Sequence, residues 1–411
     1  MNSIGLQMYN SKVFNKFTNV YLSFNTFVNM KQETDTYQDL LQNYDDFKCP
    51  LLKGRYLKEE DILQTFRTIS HKFKIKNEGF SEEGRIISSF RLGQGEKKIL
   101  IWSQMHGNES TTTKSVLDLL NFLAKDSTFA HTILRTCKFV IVPVLNPDGA
   151  KAYTRVNANK VDLNRDASEQ TQSESKVLQH IYKTFEPDVC FNMHDQRTIF
   201  SAGNHKQPAS VSFLSPSYNA DRDINKTRLA SMSLISAANR LLQHFIPGKV
   251  GRYDDSFNIN CIGDYFQSKQ TPTVLFEAGH YPEDYAREET RKYIFLALFC
   301  MIQETMSSSE LNPPEDYFSI PENEKYYFDV ILRDVKVNNQ LKDVAIQYKE
   351  ELKDDAINFT PIIEQVGDLK TYYGHREIDV SGVDLEFDEA FSFISGEILK
   401  PFKLNNIDIV V

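Results

Sequence analysis

The chain has 411 residues, with 47 lysines and arginines against 56 aspartates and glutamates, for a formal net charge of −9. That length allows a large core and two or three domains, while the acidic balance without a basic run argues against a nucleic-acid partner. Five cysteines, odd in number and widely spaced, argue against a disulfide framework or a Cys-rich metal site, and Cys137, Cys190 and Cys300 read as small core residues.

Residues 1–34 read as an extension. Val20, Tyr21, Leu22 and Phe24 are interrupted by polar residues, unlike the basic start and continuous apolar core of a secretory leader, and Met30 is an alternative start. No stretch approaches the ~20 apolar residues that span a bilayer, so the expectation is a cytoplasmic protein with no membrane partner. A helix is expected over Glu59–Lys74 and a strand near Arg85–Ile87. Strands then alternate with helices: strands at Lys97–Trp102, Lys138–Val144, Asp188–Met193 and Pro272–Phe276, helices at Ser110–Lys125, Gln170–Phe185, Lys226–Phe245 and Pro282–Met306. This alternation predicts an α/β domain over 35–312 with a mostly parallel or mixed sheet. Asn312-Pro313-Pro314 is a stiff break. Beyond it, Tyr326–Val337, Val383–Phe387 and Ile407–Val411 are β-rich, and Leu341–Leu352 is the one candidate for an amphipathic helix. Residues 315–411 are therefore read as a small β-rich C-terminal domain, whose His375 has no His or Cys nearby.

His106 and Glu109 fall between the apolar run Lys98–Trp102 and the helix from Ser110, at the carboxyl edge of the sheet, where open α/β sheets place ligands. Two such side chains with one further ligand can hold zinc and leave a position open to water. His194 is the best third ligand because it follows the apolar strand Val189–Met193; His205 is a rival in a loop with no strand to aim it. His280 follows Glu277 closely and reads as pocket wall or as a partner of a ligand. Asn146-Pro147-Asp148-Gly149 closes a strand with turn chemistry. In Asp162-Leu163-Asn164-Arg165, the arginine beside an asparagine can grip a carboxylate, and Asp162 can accept the free ring N–H of a ligating histidine. Glu277 ends the strand Val274–Phe276, a placement that suits a general base.

His106-x-x-Glu109, Asn146-Pro147-Asp148-Gly149, Asp162-x-Asn164-Arg165, His194 and Phe276-Glu277 together resemble, in order, the zinc carboxypeptidases of the carboxypeptidase A type over residues 95–305. The resemblance implies a mixed eight-stranded sheet flanked by helices, with Zn2+ at its carboxyl edge. It implies that His106, Glu109 and His194 bind the metal and that Glu277 takes the proton of the attacking water. Asn164 and Arg165 would hold the substrate's terminal carboxylate, and Arg155 would stabilise the oxyanion. The segment between Asp148 and Asn164 is short, so that last role reaches Arg155 across a gap. The family's substrate-capping tyrosine has no clean equivalent: Tyr253 lies about the right distance before Glu277 and Tyr265 is also in range, while Gly263-Asp264 falls where the family has the floor of its specificity pocket.

The compact spacing of Glu109 and His194 is similar to the bacterial murein-peptide amidase branch. His106-Gly107-Asn108-Glu109 is also shared with deacylases of N-acyl amino acids, the succinylglutamate desuccinylase and aspartoacylase type, whereas Asn146-Pro147-Asp148-Gly149 is closer to the peptidases. The leading expectation is thus a zinc metallocarboxypeptidase acting on an amide next to a free carboxylate. The alternative is an N-acyl amino acid deacylase, so the expected partner is a peptide or an acylated amino acid. An idle binding module is disfavoured because Glu277 and Arg165 are both present.

Overall fold

The computed structural model describes residues 36–307, 310–381, 383–387, 391–405 and 407–409. The extension expected over 1–34 lies outside the described residues. Met1–Lys48 and Cys49–Val411 are separate compact units; in the first, 36–42 is helical and Tyr44–Asp46 is a short 3₁₀ turn.

The second unit begins with helix α1 (Glu59–Ser70) and the antiparallel pair β1 (Lys74–Phe80) and β2 (Ile86–Leu92). The expected helix over Glu59–Lys74 therefore ends early, because Lys74 already pairs with Arg91 across the sheet edge. Next come β3 (Lys97–Ser103), α2 (Thr111–Leu123), α3 (Thr128–Thr136), β4 (Cys137–Val142), α4 (Pro147–Ala152), α5 (Ser173–Phe185) and β5 (Val189–Asp195). The chain continues through β6 (Ser201–Ala202), β7 (Val211–Leu214), α6 (Lys226–Leu242), β8 (Val250–Arg252), α7 (Ile262–Ser268), β9 (Thr273–Ala278) and α8 (Glu288–Met306).

Eight strands form one mixed sheet in the order β1-β2-β4-β3-β5-β9-β7-β8, as the resemblance implied. β4, β3, β5 and β9 run parallel in its middle. These strands are covered on both faces, which is why Ile99-Leu100-Ile101-Trp102 is a continuous apolar run, all of it buried. α8 starts at Glu288, not at Pro282: Arg287 takes a left-handed backbone (φ +58°), and the Asp284 carboxylate accepts the amides of Glu288 (2.9 Å) and Glu289 (2.8 Å). Among the described residues no helix is long and apolar enough to cross a membrane.

After the short helix α9 (Pro314–Phe318), β10 (Asn323–Glu324) pairs with β6. β11 (Tyr327–Val337), β12 (Gln340–Lys353), β13 (Ala356–Gly367) and β14 (Tyr373–Asp379) form a sheet in the order β13-β12-β11-β14. The helix expected over Leu341–Leu352 is strand β12 instead, paired along its length with β13 and at its start with β11. Pairing on both edges overrides the local helical pattern. Val383–Phe387 contributes only a bridge from Glu386 to Lys403, and the last hairpin is β15 (Phe402–Leu404) with β16 (Ile407–Ile409). Val410 and Val411 lie outside the described residues. The sheet's core includes Val330, Leu332, Val344, Ile346 and Ile363.

Candidate active site

The turn after β3 is built for close approach. Gln104 is left-handed (φ +50°), and its side-chain amide donates to the Gly107 carbonyl (2.8 Å). A Cβ on Gly107 would lie 1.9 Å from the Gly149 carbonyl carbon, so glycine lets the two turns touch. The expected turn at 146–149 opens α4: the Asn146 side chain accepts the Gly149 amide (2.8 Å) and donates to the Met105 carbonyl (3.1 Å). Asp148 faces away and accepts from Ser81 (2.7 Å) and Arg85 (2.6 Å). Asn146-Pro147-Asp148-Gly149 therefore braces the loop that carries His106 and Glu109.

His106, Glu109 and His194 are buried and offer one donor atom each within 4.8 Å of one another. His106 Nδ1 lies 2.8 Å from Glu109 Oε1, His194 Nδ1 lies 2.8 Å from Glu109 Oε2, and the two Nδ1 atoms are 3.2 Å apart. Tetrahedral zinc with Zn–N near 2.0–2.1 Å would hold its ligand atoms ~3.3 Å apart, so two imidazoles and a carboxylate in this arrangement fit that ion. Asp162 Oδ1 sits 3.0 Å from His106 Nε2, the contact that fixes which ring nitrogen carries the proton. Burial opposes charge on Glu109 and on Asp162, but the adjacent imidazoles, with Arg155 beside Asp162, hold both carboxyls below their usual range. Burial pushes the His194 imidazole down.

Asp195 locks the centre to the helix behind it. Its carboxylate accepts the amides of Thr111 (2.8 Å) and Thr112 (3.1 Å) in the first turn of α2, and its own amide donates to Glu109 Oε2 (3.2 Å). Glu277 is the register neighbour of His194 on β9. Burial and the negative charges of Glu109 and Asp195 raise the Glu277 carboxyl well above the usual range, and its Oε2 is buried without a hydrogen-bond partner.

Arg155 donates to Glu109 Oε1 (3.2 Å) and Asp162 Oδ2 (3.1 Å), and its side chain is 47% exposed. Asn164 accepts the Ile262 amide (2.9 Å), while Arg165 donates to the Asn164 carbonyl (2.7 Å) and approaches Cys261 Sγ at 3.2 Å. Arg155, Asn164, Arg165 and Cys261, with His106, Glu109, His194, Glu277, Tyr253, Gly263 and Asp264, line one cavity of about 810 Å³. Of the two tyrosines in range, Tyr253 faces the cavity, and Tyr265 packs on Phe266 of the core. His205 is exposed and outside the ligand cluster. His280 is buried against His375 (ring centroids 4.0 Å apart) and Tyr285 and is not among the cavity's lining residues.

Several lining residues were not anticipated. Arg55 pairs with Glu350 (3.0 Å), which also accepts from the Tyr153 hydroxyl. Cys261 stands beside Arg165. Arg287, which does not line the cavity, donates to the carbonyls of Ala278 and of the lining residue Gln196 (2.6 Å to the latter), tying together the ends of β9 and β5.

Residues 60–214 match the family model described as zinc carboxypeptidase. Over that segment the chain is similar to the zinc carboxypeptidases. The matched segment holds His106, Glu109, Arg155, Asp162, Asn164, Arg165 and His194, and Tyr253 and Glu277 fall beyond it. Probable carboxypeptidase 2 of Trichophyton verrucosum is 29% identical over 133 residues, which is 30% of this chain and 25% of that protein. Carboxypeptidase 2 of Trichophyton rubrum is 30% identical over 133 residues, 30% of this chain and 24% of the relative. The chain thus spans about a quarter of the length of these curated relatives. A putative carboxypeptidase A from Shewanella denitrificans superposes with a TM-score of 0.51 at 19% identity, covering 61% of this chain and 70% of that one. A metallo-carboxypeptidase from Burkholderia cenocepacia gives 0.50 at 18% identity, covering 61% and 69%. At these identities the likeness concerns the fold alone.

Proposed function

We propose that the chain is a zinc-dependent metallocarboxypeptidase that hydrolyses the amide next to a free terminal carboxylate. The observation that carries this reading is the convergence of His106 Nδ1, His194 Nδ1 and the Glu109 carboxylate beside the unpartnered Glu277. When bound there, zinc would supply Lewis acidity, polarising the scissile carbonyl and lowering the pKa of water to roughly 7.

The remaining work falls to side chains. Arg165, presented by the short 3₁₀ turn Leu163–Arg165, matches a carboxylate with a planar pair of donors, and Asn164 supports it. Glu277, the register neighbour of the candidate ligand His194, accepts a proton from the attacking water and returns it to the leaving amine. Arg155, already close to Glu109, places a cation where the carbonyl oxygen gains charge. Tyr253, packed edge-on against Phe200 (centroids 5.3 Å apart), closes over the bound residue. Residues 35–312 would form the catalytic domain and 315–411 a β-rich domain that walls its cleft.

Purified protein should contain about one zinc per chain. It should cleave blocked dipeptides with a free carboxyl end faster than N-acetyl or N-succinyl amino acids. Glu277→Gln should keep the metal and lose turnover by ~10²–10⁴-fold. A protein without zinc, or a fully active Glu277→Gln, overturns the reading; faster cleavage of the acylated amino acids favours the deacylase instead.

A further inference from the structure

We propose that Asn323, on β10, is a positioning residue that keeps Glu277 free to act as a base by drawing the hydroxyl proton of Ser212, its cross-strand neighbour, away from it. The inference rests on the carboxypeptidase reading and deepens it.

His194 on β5, Glu277 on β9, Ser212 on β7 and Gly251 on β8 are successive register partners, so they form one row across the sheet. Residues directly opposite in an antiparallel pair, such as Glu277 and Ser212, share a face with Cβ atoms ~4.5–5.5 Å apart. Ser212 is fully buried, and a hydroxyl so placed can reach the facing carboxylate. Glu277 Oε2 nevertheless has no hydrogen-bond partner. The row ends at a glycine, and Asn323 occupies the space its side chain would take: a Cβ on Gly251 would lie 1.8 Å from Asn323 Oδ1.

The direction of each hydrogen bond around Ser212 follows from one fixed end. The Gln196 side-chain amide donates to the Ala209 carbonyl (2.6 Å), which turns its Oε1 to accept from Asn323 Nδ2 (2.8 Å). Gln196 Nε2 also donates to Ser212 Oγ (3.2 Å), and Asn323 Nδ2 stands 3.0 Å from the same oxygen. With Oγ accepting, the serine's single proton needs an acceptor, and Asn323 Oδ1 receives it at 3.1 Å. Asn323 is held in turn by backbone on both sides. β10 pairs with β6, the Gly203 amide donates to the Glu322 carbonyl (2.7 Å), and the Arg252 amide of β8 donates to the Pro321 carbonyl (2.8 Å). Without Asn323 Oδ1, the Ser212 proton would turn to Glu277. A carboxylate that accepts such a bond is a weaker base, because donation to the charged form favours that form.

The test is hydrolysis of one blocked dipeptide by the full zinc-loaded chain and its variants, with zinc affinity measured in parallel by chelator competition. Asn323→Ala should lower kcat about tenfold or more, the weight of one hydrogen bond to a charged group, with KM and zinc affinity within about twofold of wild type. Adding Ser212→Ala removes the misdirected donor, so kcat of the double variant should rise about threefold or more above that of Asn323→Ala. If Asn323→Ala does not fold, Asn323→Leu, closer to asparagine in volume, takes its place with the same two results expected. An unchanged kcat, a loss carried by KM or zinc affinity, or a loss that Ser212→Ala does not relieve overturns the proposal and leaves the carboxypeptidase reading intact. A wild-type chain that hydrolyses no blocked dipeptide overturns both.

Discussion

His194 and Glu277 are register partners on the adjacent parallel strands β5 and β9, within a ladder of six paired positions. Adjacent strands lie ~4.8 Å apart, so a candidate ligand and a candidate base leave the sheet edge at one level. Their separation is set by a buried sheet and not by a loop, and a conservative change at Glu277 should disturb chemistry without moving the metal ligands.

Asp162→Asn should weaken zinc affinity about 10–100-fold, because the carboxylate that orients His106 becomes a neutral amide. Chelator competition would measure this, with circular dichroism to show that the fold persists. An unchanged affinity would count against His106 as a ligand.

Arg165→Ala should lower kcat/KM by ~10–150-fold, the equivalent of ~1.5–3 kcal/mol for hydrogen bonds to a charged group, mostly through KM. Arg165→Lys should restore only part of it, since an ammonium cannot make the two-pronged contact. Peptides amidated at the carboxyl end should be poor substrates for wild type and variants alike. Equal cleavage of acid and amide by wild type would refute the clamp.

Asp264 is buried at the cavity floor, and burial pushes its carboxyl from 3.8 up to about 7. The unfolded chain releases this proton above about pH 4 while the folded protein keeps it until about 7. Its stabilising contribution is therefore complete below about pH 4 and is lost as pH rises through 7. Urea unfolding at pH 5 and pH 8 should show Asp264→Asn losing less stability than wild type across that interval. Parallel losses would contradict the shift.

Arg291 and Asp118 form a two-pronged pair (2.7 and 2.6 Å) with both side chains fully buried. Arg291 also donates to the Leu52 carbonyl (2.7 Å), and Asp118 accepts the Cys49 amide (2.7 Å). Asp118→Ala should cost ~3–5 kcal/mol in denaturant unfolding by removing the two-pronged carboxylate from a buried arginine that keeps its contact with Glu288 (3.1 Å), whereas replacing both Asp118 and Arg291 with apolar residues should recover most of it. A loss under ~1 kcal/mol for the single variant would be inconsistent with a dry pair.

The legible parts of this protein were those whose cause is local. The central strands carry continuous apolar runs because both faces are covered, and His106-x-x-Glu109 and Asp162-x-Asn164-Arg165 each fit within one turn. Position in the sheet also made His194 and Glu277 stand out, because each ends an apolar strand. What escaped depends on partners far along the chain. Arg55 has meaning only beside Glu350, and β12 is a strand only because β11 and β13 flank it. Spacing alone left Tyr253 and Tyr265 equivalent; packing of Tyr265 on Phe266 separates them. Strands β7 and β8 at one end of the sheet, four and three residues long, are too short to carry a readable period.

Asp195 has a consequence for how the centre would behave when stripped of metal. Its carboxylate and amide already hold the start of α2 and Glu109 in place, so the three donors are gathered by the fold itself. In zinc fingers the ion organises the chain; here the chain presents a prepared socket. Chelation should then be reversible, with amide exchange in β5 and the first turn of α2 nearly the same with and without zinc.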